Sequence, residues 1–131
     1  MTVLWIALGG ALGSLARYYL TEAIALVAGN AFPWGTLLVN VSGSFVIGVV
    51  AGGGGEHGRW IESAVARQFL MVGVCGGYTT FSAFSLQTLN LLRDREWLYA
   101  AGNMLLSVSL CLVAVWLGYI IGSAFSSPKG N

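Results

Sequence analysis

Apolar residues run in long stretches along this chain, and few charged side chains interrupt them. A helix crosses a bilayer with about 20 mostly apolar residues. Four stretches reach this length: 3–27, 35–53, 62–92 and 97–123. Near their ends lie four tryptophans, Trp5, Trp34, Trp60 and Trp97, and indole rings favour the headgroup level. The pattern predicts an all-α integral membrane protein, with residues 1–131 forming a single four-helix transmembrane domain.

The third stretch is longer than one plain span requires. Its middle, Gly76 to Thr80, combines glycine with threonine, and both lower the local helix propensity. We therefore expect a break in the third helix near residues 76–80. Irregular backbone at membrane depth is tolerated only where protein or a water-filled cavity satisfies its polar groups, so the break predicts a buried site.

Composition supports the membrane assignment and excludes other classes. The 131 residues are 56% hydrophobic and 8% charged, with a mean hydropathy of +0.78. The net charge of +1 and the lack of a basic stripe argue against nucleic acid as a partner. Cys75 and Cys111 lie in apolar stretches, and we interpret them as small hydrophobes rather than as disulfide or zinc residues. The N-terminal apolar run exceeds signal-peptide length and predicts a retained helix.

The loop charges give little bias for orientation. One side collects Arg59, Arg67 and Lys129, and the other collects Arg93 and Arg95. Because orientation follows an excess of Lys and Arg in cytoplasmic loops, a balanced chain can insert both ways. Two oppositely oriented copies would form an inverted pair, like the inverted repeats of transporters.

Phe81 and Phe84 are the first candidate functional residues. They lie three residues apart, so a helix places them on one face. The edge of an aromatic ring is positive, and ring edges turned toward a narrow path can attract an anion. Ordinary core packing is the alternative interpretation.

Polar residues inside the other spans are further candidates. Asn40 lies mid-span, where polar groups are costly, and it either holds an anion or makes an interhelical hydrogen bond. Asn103, Ser107 and Cys111 recur at a spacing of four and form a stripe, which lines a second wall or packs against a neighbour. Arg17 faces an aqueous cavity or extends to the interface.

The sequence gives no sign of an enzyme. The polar stretches of the second, third and fourth spans contain no Asp, Glu, Lys or His. His57 is a loop residue without an evident nucleophile or paired carboxylate beside it. We therefore expect transport or binding rather than catalysis.

Three ordered motifs resemble those of the Fluc or CrcB family of fluoride channels. They are Gly13-x-x-x-Arg17, then Gly35-Thr36-Leu37-x-x-Asn40-x-x-Gly43, and the segment Gly73 to Ser85, with its Gly-Gly-x-Thr-Thr-Phe-Ser-x-Phe-Ser string. The resemblance implies a fluoride-selective channel in the inner membrane of a prokaryote. It also implies an antiparallel, dual-topology homodimer in the lipid bilayer, with two antiparallel pores.

The resemblance also assigns roles to residues. Phe81 and Phe84 would supply ring edges along each pore, and Asn40 would help hold fluoride. A structural sodium ion would be bound at the dimer interface by backbone carbonyls of Gly76 and Thr79.

Further roles follow by the same resemblance. Ser107 would lie on a polar track, Arg17 near an aqueous vestibule, and Thr80 and Ser82 are lesser pore candidates. The chain departs from the family pattern at three positions: it has Gln87 where many relatives have Glu, and Asn103 and Cys111 where they have Tyr and Ser. The expected activity is passive fluoride export, which relieves fluoride toxicity.

Two other functions are compatible with four spans. A small multidrug-resistance transporter needs a carboxylate in the membrane, and Glu22, late in the first span, is the only one near. A structural subunit needs only the glycine-rich faces, but it leaves the Phe81 and Phe84 pair unexplained.

Overall fold

The computed structural model describes residues 1–54 and 63–126, and every regular element within these ranges is helical. The α-helices are α1 (Thr2–Ala28), α2 (Trp34–Gly53), α3 (Ala64–Gln68), α4 (Gly76–Tyr78), α5 (Phe81–Arg93) and α6 (Trp97–Ser126), and a π-helical segment, Phe69–Cys75, joins α3 to α4. Several residues used above lie outside the described ranges: His57, Arg59, Trp60, Lys129 and residue 62, where the third predicted span begins.

Four helical segments of the described ranges are long and apolar enough to cross a membrane. They are Thr2–Ala28, Trp34–Gly53, Ala64–Arg93 and Trp97–Ser126, with mean hydropathies of 1.3, 1.7, 1.4 and 2.4. The third segment comprises α3, the π-helical segment, α4 and α5. The prediction of an all-helical protein with four membrane-spanning segments is confirmed.

The turn between α1 and α2 is closed by Gly29 and by an aromatic cluster. Gly29 has a φ of 77°, which glycine adopts without a steric penalty, and its N–H donates to the Ala25 carbonyl at 2.9 Å. Phe32 is buried, with its ring centroid 4.6 Å from that of Trp34 and 6.0 Å from that of Tyr99. These ring contacts attach the turn to the start of α6.

Helices α2 and α6 pack backbone against backbone. Gly48 and Gly52 on α2, and Gly118 and Gly122 on α6, each recur at a spacing of four. A Cβ added at Gly48 would meet the Val115 carbonyl, and one added at Gly118 would meet the Phe45 carbonyl. Small residues at this spacing let membrane helices approach closely, so these glycines set the distance between the two helices.

Helix α1 packs against the third span in the same way. A Cβ at Gly13 would meet the Val74 carbonyl, and a Cβ at Gly77 would meet the Gly10 carbonyl. The Ser14 hydroxyl also donates to the Gly77 carbonyl at 3.4 Å. The small-residue face of the first span therefore contacts the third span next to residues 76–80.

Candidate functional site

Two extended residues separate α4 from α5. Thr79 has φ −78° and ψ 154°, and Thr80 has φ −150° and ψ 114°. The Thr80 hydroxyl accepts a hydrogen bond from the Ala83 N–H at 3.1 Å, which is the N-cap interaction that starts α5. Both the N–H and the hydroxyl of Thr79 donate to the Cys75 carbonyl at 2.9 Å. Threonine hydroxyls thus satisfy backbone groups on both sides of the extended pair.

The side chain of Asn40 holds the extended backbone in place from α2. Its Nδ2 donates to the Thr80 carbonyl at 3.0 Å, and its Oδ1 accepts from the Thr80 N–H at 2.7 Å. The amide therefore replaces the partners that a continuous helix would give to this residue. An asparagine amide carries two N–H donors, so within the described residues one donor of Asn40 stays available to a ligand.

The Asn40 hydrogen bonds also change the environment of Gly76. In an uninterrupted helix the Thr80 N–H would donate to the Gly76 carbonyl four residues earlier, but here it donates to Asn40. The end of α4 therefore has carbonyl oxygens that lack their usual helical donors. Gly43 lets α2 approach closely at this point, since a Cβ there would meet the Thr79 methyl group.

A cavity of about 380 Å³ lies beside the extended pair, and we call it the phenyl cavity. Its lining residues from α2 are Asn40, Gly43, Ser44 and Ile47; those from the third span are Met71, Cys75, Gly76, Thr79, Thr80, Phe81 and Phe84; and those from α6 are Ser107, Val108, Cys111 and Leu112. Three of the four spans thus meet around one space.

The two phenyl rings of this cavity differ sharply in exposure. Their centroids are 5.3 Å apart and their planes are tilted by 45°. Phe84 is buried, with 9% of its surface exposed, whereas Phe81 is 77% exposed. Within the single chain, Phe84 is fixed by neighbours, and Phe81 presents most of its ring outward.

A buried row of hydrogen bonds joins α5 to α6, and it includes Phe84 and Ser107, which line the phenyl cavity. The Ser107 hydroxyl donates to Asn103 Oδ1 at 3.3 Å, and Asn103 Nδ2 donates to the Thr88 hydroxyl at 2.9 Å. The Thr88 hydroxyl donates in turn to the Phe84 carbonyl at 2.8 Å. All three side chains are buried, with Asn103 only 1% exposed. The row therefore fixes the turn of α5 that carries Phe84.

A second cavity, of about 520 Å³, is also lined by Thr80, and we call it the polar cavity. The side chains that give it charge and hydrogen-bonding capacity are Ser14, Arg17, Tyr18, Thr21, Glu22, Asn30, Trp34, Thr36, Thr80, Gln87, Asn90 and Asp94. Within the described residues, the buried Oε1 of Gln87 has no hydrogen-bond partner. Thr80 lines both cavities, so it stands at their junction.

The structure brings most of the predicted site residues to these two cavities. Those that line the phenyl cavity are Phe81, Phe84, Asn40, Ser107, Thr80, Gly76 and Thr79. Arg17 lines the polar cavity instead. Two predicted residues are absent from both lining sets: Ser82, whose hydroxyl lies 3.2 Å from that of Thr80, and Asn103, which is buried in the hydrogen-bonded row.

Sequence reasoning missed two polar side chains that belong to this region. Thr88 lies one turn after Phe84 and carries the link to Asn103; its spacing of four from Phe84 was the available signal. Tyr78 forms a hydrogen bond with Ser42 at 2.9 Å between their hydroxyls. No sequence pattern predicts the Tyr78–Ser42 hydrogen bond, because it depends on how α2 packs against α4.

The described geometry defines a class of protein: a helical, multi-spanning membrane protein with a polar cavity and an aromatic cavity that share Thr80. The family model "CrcB-like protein, Camphor Resistance (CrcB)" matches residues 4–119. The chain therefore belongs to the CrcB family.

Curated relatives cover almost the whole chain. A protein of Methylocella silvestris is 52% identical over 130 residues, with 99% of each chain covered. One of Opitutus terrae is 56% identical over 128 residues, covering 98% of this chain and 97% of the relative. One of Rhodospirillum rubrum is 57% identical over 120 residues, covering 92% and 93%. Each of these relatives is named "Fluoride-specific ion channel FluC".

Family membership confirms several predictions. The resemblance to the Fluc or CrcB family is correct. The relatives are named as ion channels, in agreement with the prediction that the chain is not an enzyme. With its four spans, the chain is a multi-pass protein of a prokaryotic inner membrane.

Proposed function

We propose that this chain forms a fluoride-selective channel, which lets fluoride leave the cell passively and so relieves fluoride toxicity. The observation that carries the proposal is the phenyl cavity, where Phe81, Phe84 and Asn40 meet. The names of the relatives, which are 52% to 57% identical, support the choice of fluoride. The expected path runs from the polar cavity past Thr80 to the phenyl cavity.

Arg17 and the polar cavity form the entrance in this proposal. A cationic side chain on a cavity wall raises the local concentration of anions, and Arg17 is the cation among the lining residues. Glu22 and Asp94 line the same cavity, so its charged side chains sum to −1, and a moderate attraction is confined to the surroundings of the Arg17 guanidinium. A moderate attraction suits a channel, because an ion must also leave.

Dehydration of the ion begins at Asn40 and Thr80. The Asn40 N–H that Thr80 does not use is an anion donor, and the hydroxyls of Thr80 and Ser82 lie 3.2 Å apart at the same place. These donors replace water around a small anion in the manner of a selectivity filter. Chloride is larger, and the narrow junction disfavours it.

Beyond the junction, the ring edges of Phe81 and Phe84 attract the ion, although neither ring bears a full positive charge. The positive edge of an aromatic ring attracts an anion weakly, and weak sites allow rapid exit. Ser107 lines the phenyl cavity from α6, and its link to Asn103 sets the direction of its hydroxyl. We assign Asn103 to this polar track as a positioning residue.

A dimer is the expected functional unit, with two copies of opposite orientation, two antiparallel pores and a broken third span in each copy. The large exposure of Phe81, a residue that lines the cavity, supports a partner at this surface. The extended pair Thr79 and Thr80 supports the break. The balance of positive loop charges in the sequence supports dual topology.

A structural sodium ion at the dimer interface completes the proposal. Sodium is a hard cation, and oxygen donors suit it. The residues fit such an ion, since Asn40 removes the usual donor of the Gly76 carbonyl and Thr79 is extended beside it. The carbonyls of Gly76 and Thr79 would hold the ion, which supplies positive charge at the centre of the assembly.

Export needs no energy source in this mechanism. Hydrogen fluoride enters a cell from acid surroundings as a neutral molecule, and fluoride accumulates inside at higher pH. The channel then releases the anion down its gradient.

Fluoride efflux from liposomes that contain the purified protein tests the proposal. Valinomycin and potassium balance the charge, and chloride is the control anion. Rapid, fluoride-selective efflux supports it, and the absence of efflux from a folded protein contradicts it.

A further inference from the structure

A groove of about 390 Å³ lies at the start of the third span, and the function proposed above does not use it. We call it the Arg67 groove. Among the described residues that line it, Arg67 is the charged one, whereas the polar cavity has one arginine and two carboxylates. The described lining residues of the groove are Ala64, Arg67, Gln68, Met71 and Val72.

The groove and the two cavities follow one another along the third span. Residues of this span line the groove over 64–72, the phenyl cavity over 71–84 and the polar cavity over 80–94. Met71 belongs to both the groove and the phenyl cavity, and Thr80 belongs to both cavities. The three spaces therefore form an unbroken series in which each neighbour shares a residue.

This series is long enough to reach from one face of the membrane to the other. Arg67 and Asp94, which line its two ends, are 27 positions apart in the sequence. A helix of that length rises about 40 Å. A bilayer with its headgroups has about the same thickness.

The contacts of α1 place Arg17 at the end of the series that is remote from the groove. A Cβ at Gly9 would meet the Phe69 carbonyl, and a Cβ at Gly13 would meet the Val74 carbonyl. Helix α1 therefore runs in the same direction as the third span. Arg17 follows one turn after Gly13 and lies toward the far end of that span, so each end of the series has one arginine.

The end of α2 supports the Arg67 side chain. A Cβ at Gly54 would lie 3.1 Å from Arg67 Nε and 3.4 Å from its Cδ. The side chain thus rests against the residue that follows α2, and the described lining of the groove contains no acidic residue. A cation in a concave site without a carboxylate raises the local concentration of anions.

We propose that the Arg67 groove is the second mouth of the anion path and that Arg67 attracts the anion there. This inference rests on the proposed fluoride channel, for which Arg17 and the polar cavity form the other mouth. Met71 is the junction between the groove and the phenyl cavity. Its unbranched side chain is flexible, so it moves aside for a small ion.

Water in the groove is measured first and without reference to flux. A thiol reacts with a charged methanethiosulfonate as the thiolate, which forms in water rather than in lipid, and the products are a disulfide and methanesulfinate. Met71→Cys places a thiol at the junction. Leu8→Cys is the control, because Leu8 is 56% exposed, lines neither the groove nor a described cavity, and precedes Gly9, which contacts the third span at the depth of Met71.

Labelling is carried out in liposomes with reagent on both sides, and labels per chain are counted by mass spectrometry. The original chain, which has Cys75 and Cys111, gives the baseline. We expect one additional label in Met71→Cys and none in Leu8→Cys. A lipid chain or a partner subunit that fills the groove would keep both variants at the baseline, and that result, or equal labelling of both, would overturn the mouth. Gln68→Cys, at an exposed lining position, replaces Met71→Cys if that variant does not fold.

Two reagents of opposite charge then measure the attraction by Arg67. With a free thiol in solution as the reference, the anionic sulfonatoethyl reagent should label Met71→Cys about 10-fold faster than the cationic trimethylammonium reagent, the lower end of the effect of electrostatic focusing. Adding Arg67→Gln should abolish this preference, and adding Arg67→Lys should keep it. A preference that persists in Arg67→Gln would overturn the role of Arg67.

Fluoride efflux at low ionic strength links the mouth to the channel. Arg67→Gln should lower efflux by about 10-fold, and Arg67→Lys should retain it. Arg93→Gln should have no effect, because Arg93 lines neither the groove nor a described cavity. Equal efflux from the two Arg67 variants would overturn the place of Arg67 on the path. If the original chain releases no fluoride, the proposed channel function fails, and labelling still decides whether the groove is a water-filled site that attracts anions.

Discussion

The amide of Asn40 pairs with both backbone groups of Thr80, at 3.0 Å to the carbonyl and 2.7 Å from the N–H. A single side chain on α2 thereby satisfies an extended residue of the third span. Unpaired backbone groups away from water are costly, so this contact stabilises the extended conformation of Thr80. It also leaves one amide donor for a ligand.

Replacement of Asn40 by alanine tests this contact. Asn40→Ala leaves the N–H and carbonyl of Thr80 without partners, at a cost of about 1–3 kcal/mol for each buried group. We expect a lower unfolding temperature in detergent micelles and loss of fluoride efflux. Asn90→Ala is the control for stability alone, since Asn90 is an exposed asparagine of α5 that also lines the polar cavity. Equal stability of the two variants would contradict the structural role of Asn40.

Unequal exposure of the two phenylalanines predicts different variant behaviour. Phe81→Ile removes a ring that is 77% exposed, so it should lower fluoride efflux by about 10-fold, which corresponds to about 1.4 kcal/mol in the barrier, with little change in stability. Phe84→Ile should lower both efflux and unfolding temperature, because that ring is buried.

Phe45→Ile is the control for both phenylalanine variants. Phe45 is 37% exposed on α2 and lines neither of the two described cavities. Efflux should be unchanged in this variant. An equal loss of efflux in Phe45→Ile and Phe81→Ile would show that the rings act through general packing.

The Asn103–Thr88 hydrogen bond predicts energetic coupling between α5 and α6. Single variants Asn103→Ala and Thr88→Val each remove one side of the 2.9 Å contact, and the double variant removes both. In a double-mutant cycle of unfolding free energies we expect a coupling of about 0.6 kcal/mol, the average for membrane hydrogen bonds. Strict additivity of the two single effects would show that the contact contributes nothing.

Two glycines of α6 should respond differently to a methyl group. Gly118→Ala places a Cβ against the Phe45 carbonyl of α2, whereas the nearest atom to a Cβ at Gly102 is 3.7 Å away in the Phe32 ring. We expect Gly118→Ala to destabilise the protein by about 1–3 kcal/mol, the cost of overpacking. Gly102→Ala should not destabilise it. Unfolding in detergent measures both, and equal stability would contradict the close α2–α6 contact.

Arg17 should affect flux through its charge. Arg17→Gln should lower fluoride efflux by about 10-fold at low ionic strength, the lower end of the effect of electrostatic focusing. The loss should shrink as salt increases, because salt screens an exposed charge. Arg93→Gln is the control, since Arg93 lies at the end of α5 and lines neither described cavity. A salt-independent loss would assign Arg17 to folding instead.

Hydrophobic length alone predicted the four spanning segments, because a bilayer requires a fixed length of apolar helix. The motifs identified the family. The lining of the phenyl cavity contains Phe81, Phe84, Asn40 and Thr80, which the motifs had selected, while their roles in conduction stay predictions.

Contacts between different helices could not be predicted from the sequence. An asparagine in an apolar helix indicates a polar partner, but the partner of Asn40 is a backbone unit 40 residues away. The same holds for Asn103, whose amide donates to the Thr88 hydroxyl of α5, while its role beside a pore stays a prediction. The glycines of α2 and α6 are a similar case. The sequence shows that they recur every four residues, but only the packed helices show that Gly48 faces the Val115 carbonyl and Gly118 faces the Phe45 carbonyl.

Electrical recording in a planar bilayer tests the central claim most directly. A fluoride-selective, passive channel gives a current that reverses at the fluoride equilibrium potential. We expect the reversal potential to shift by about 59 mV for each tenfold fluoride gradient, the value for one elementary charge, and to ignore a chloride gradient. A reversal potential that follows chloride or protons, or the absence of current from correctly folded protein, would contradict the account.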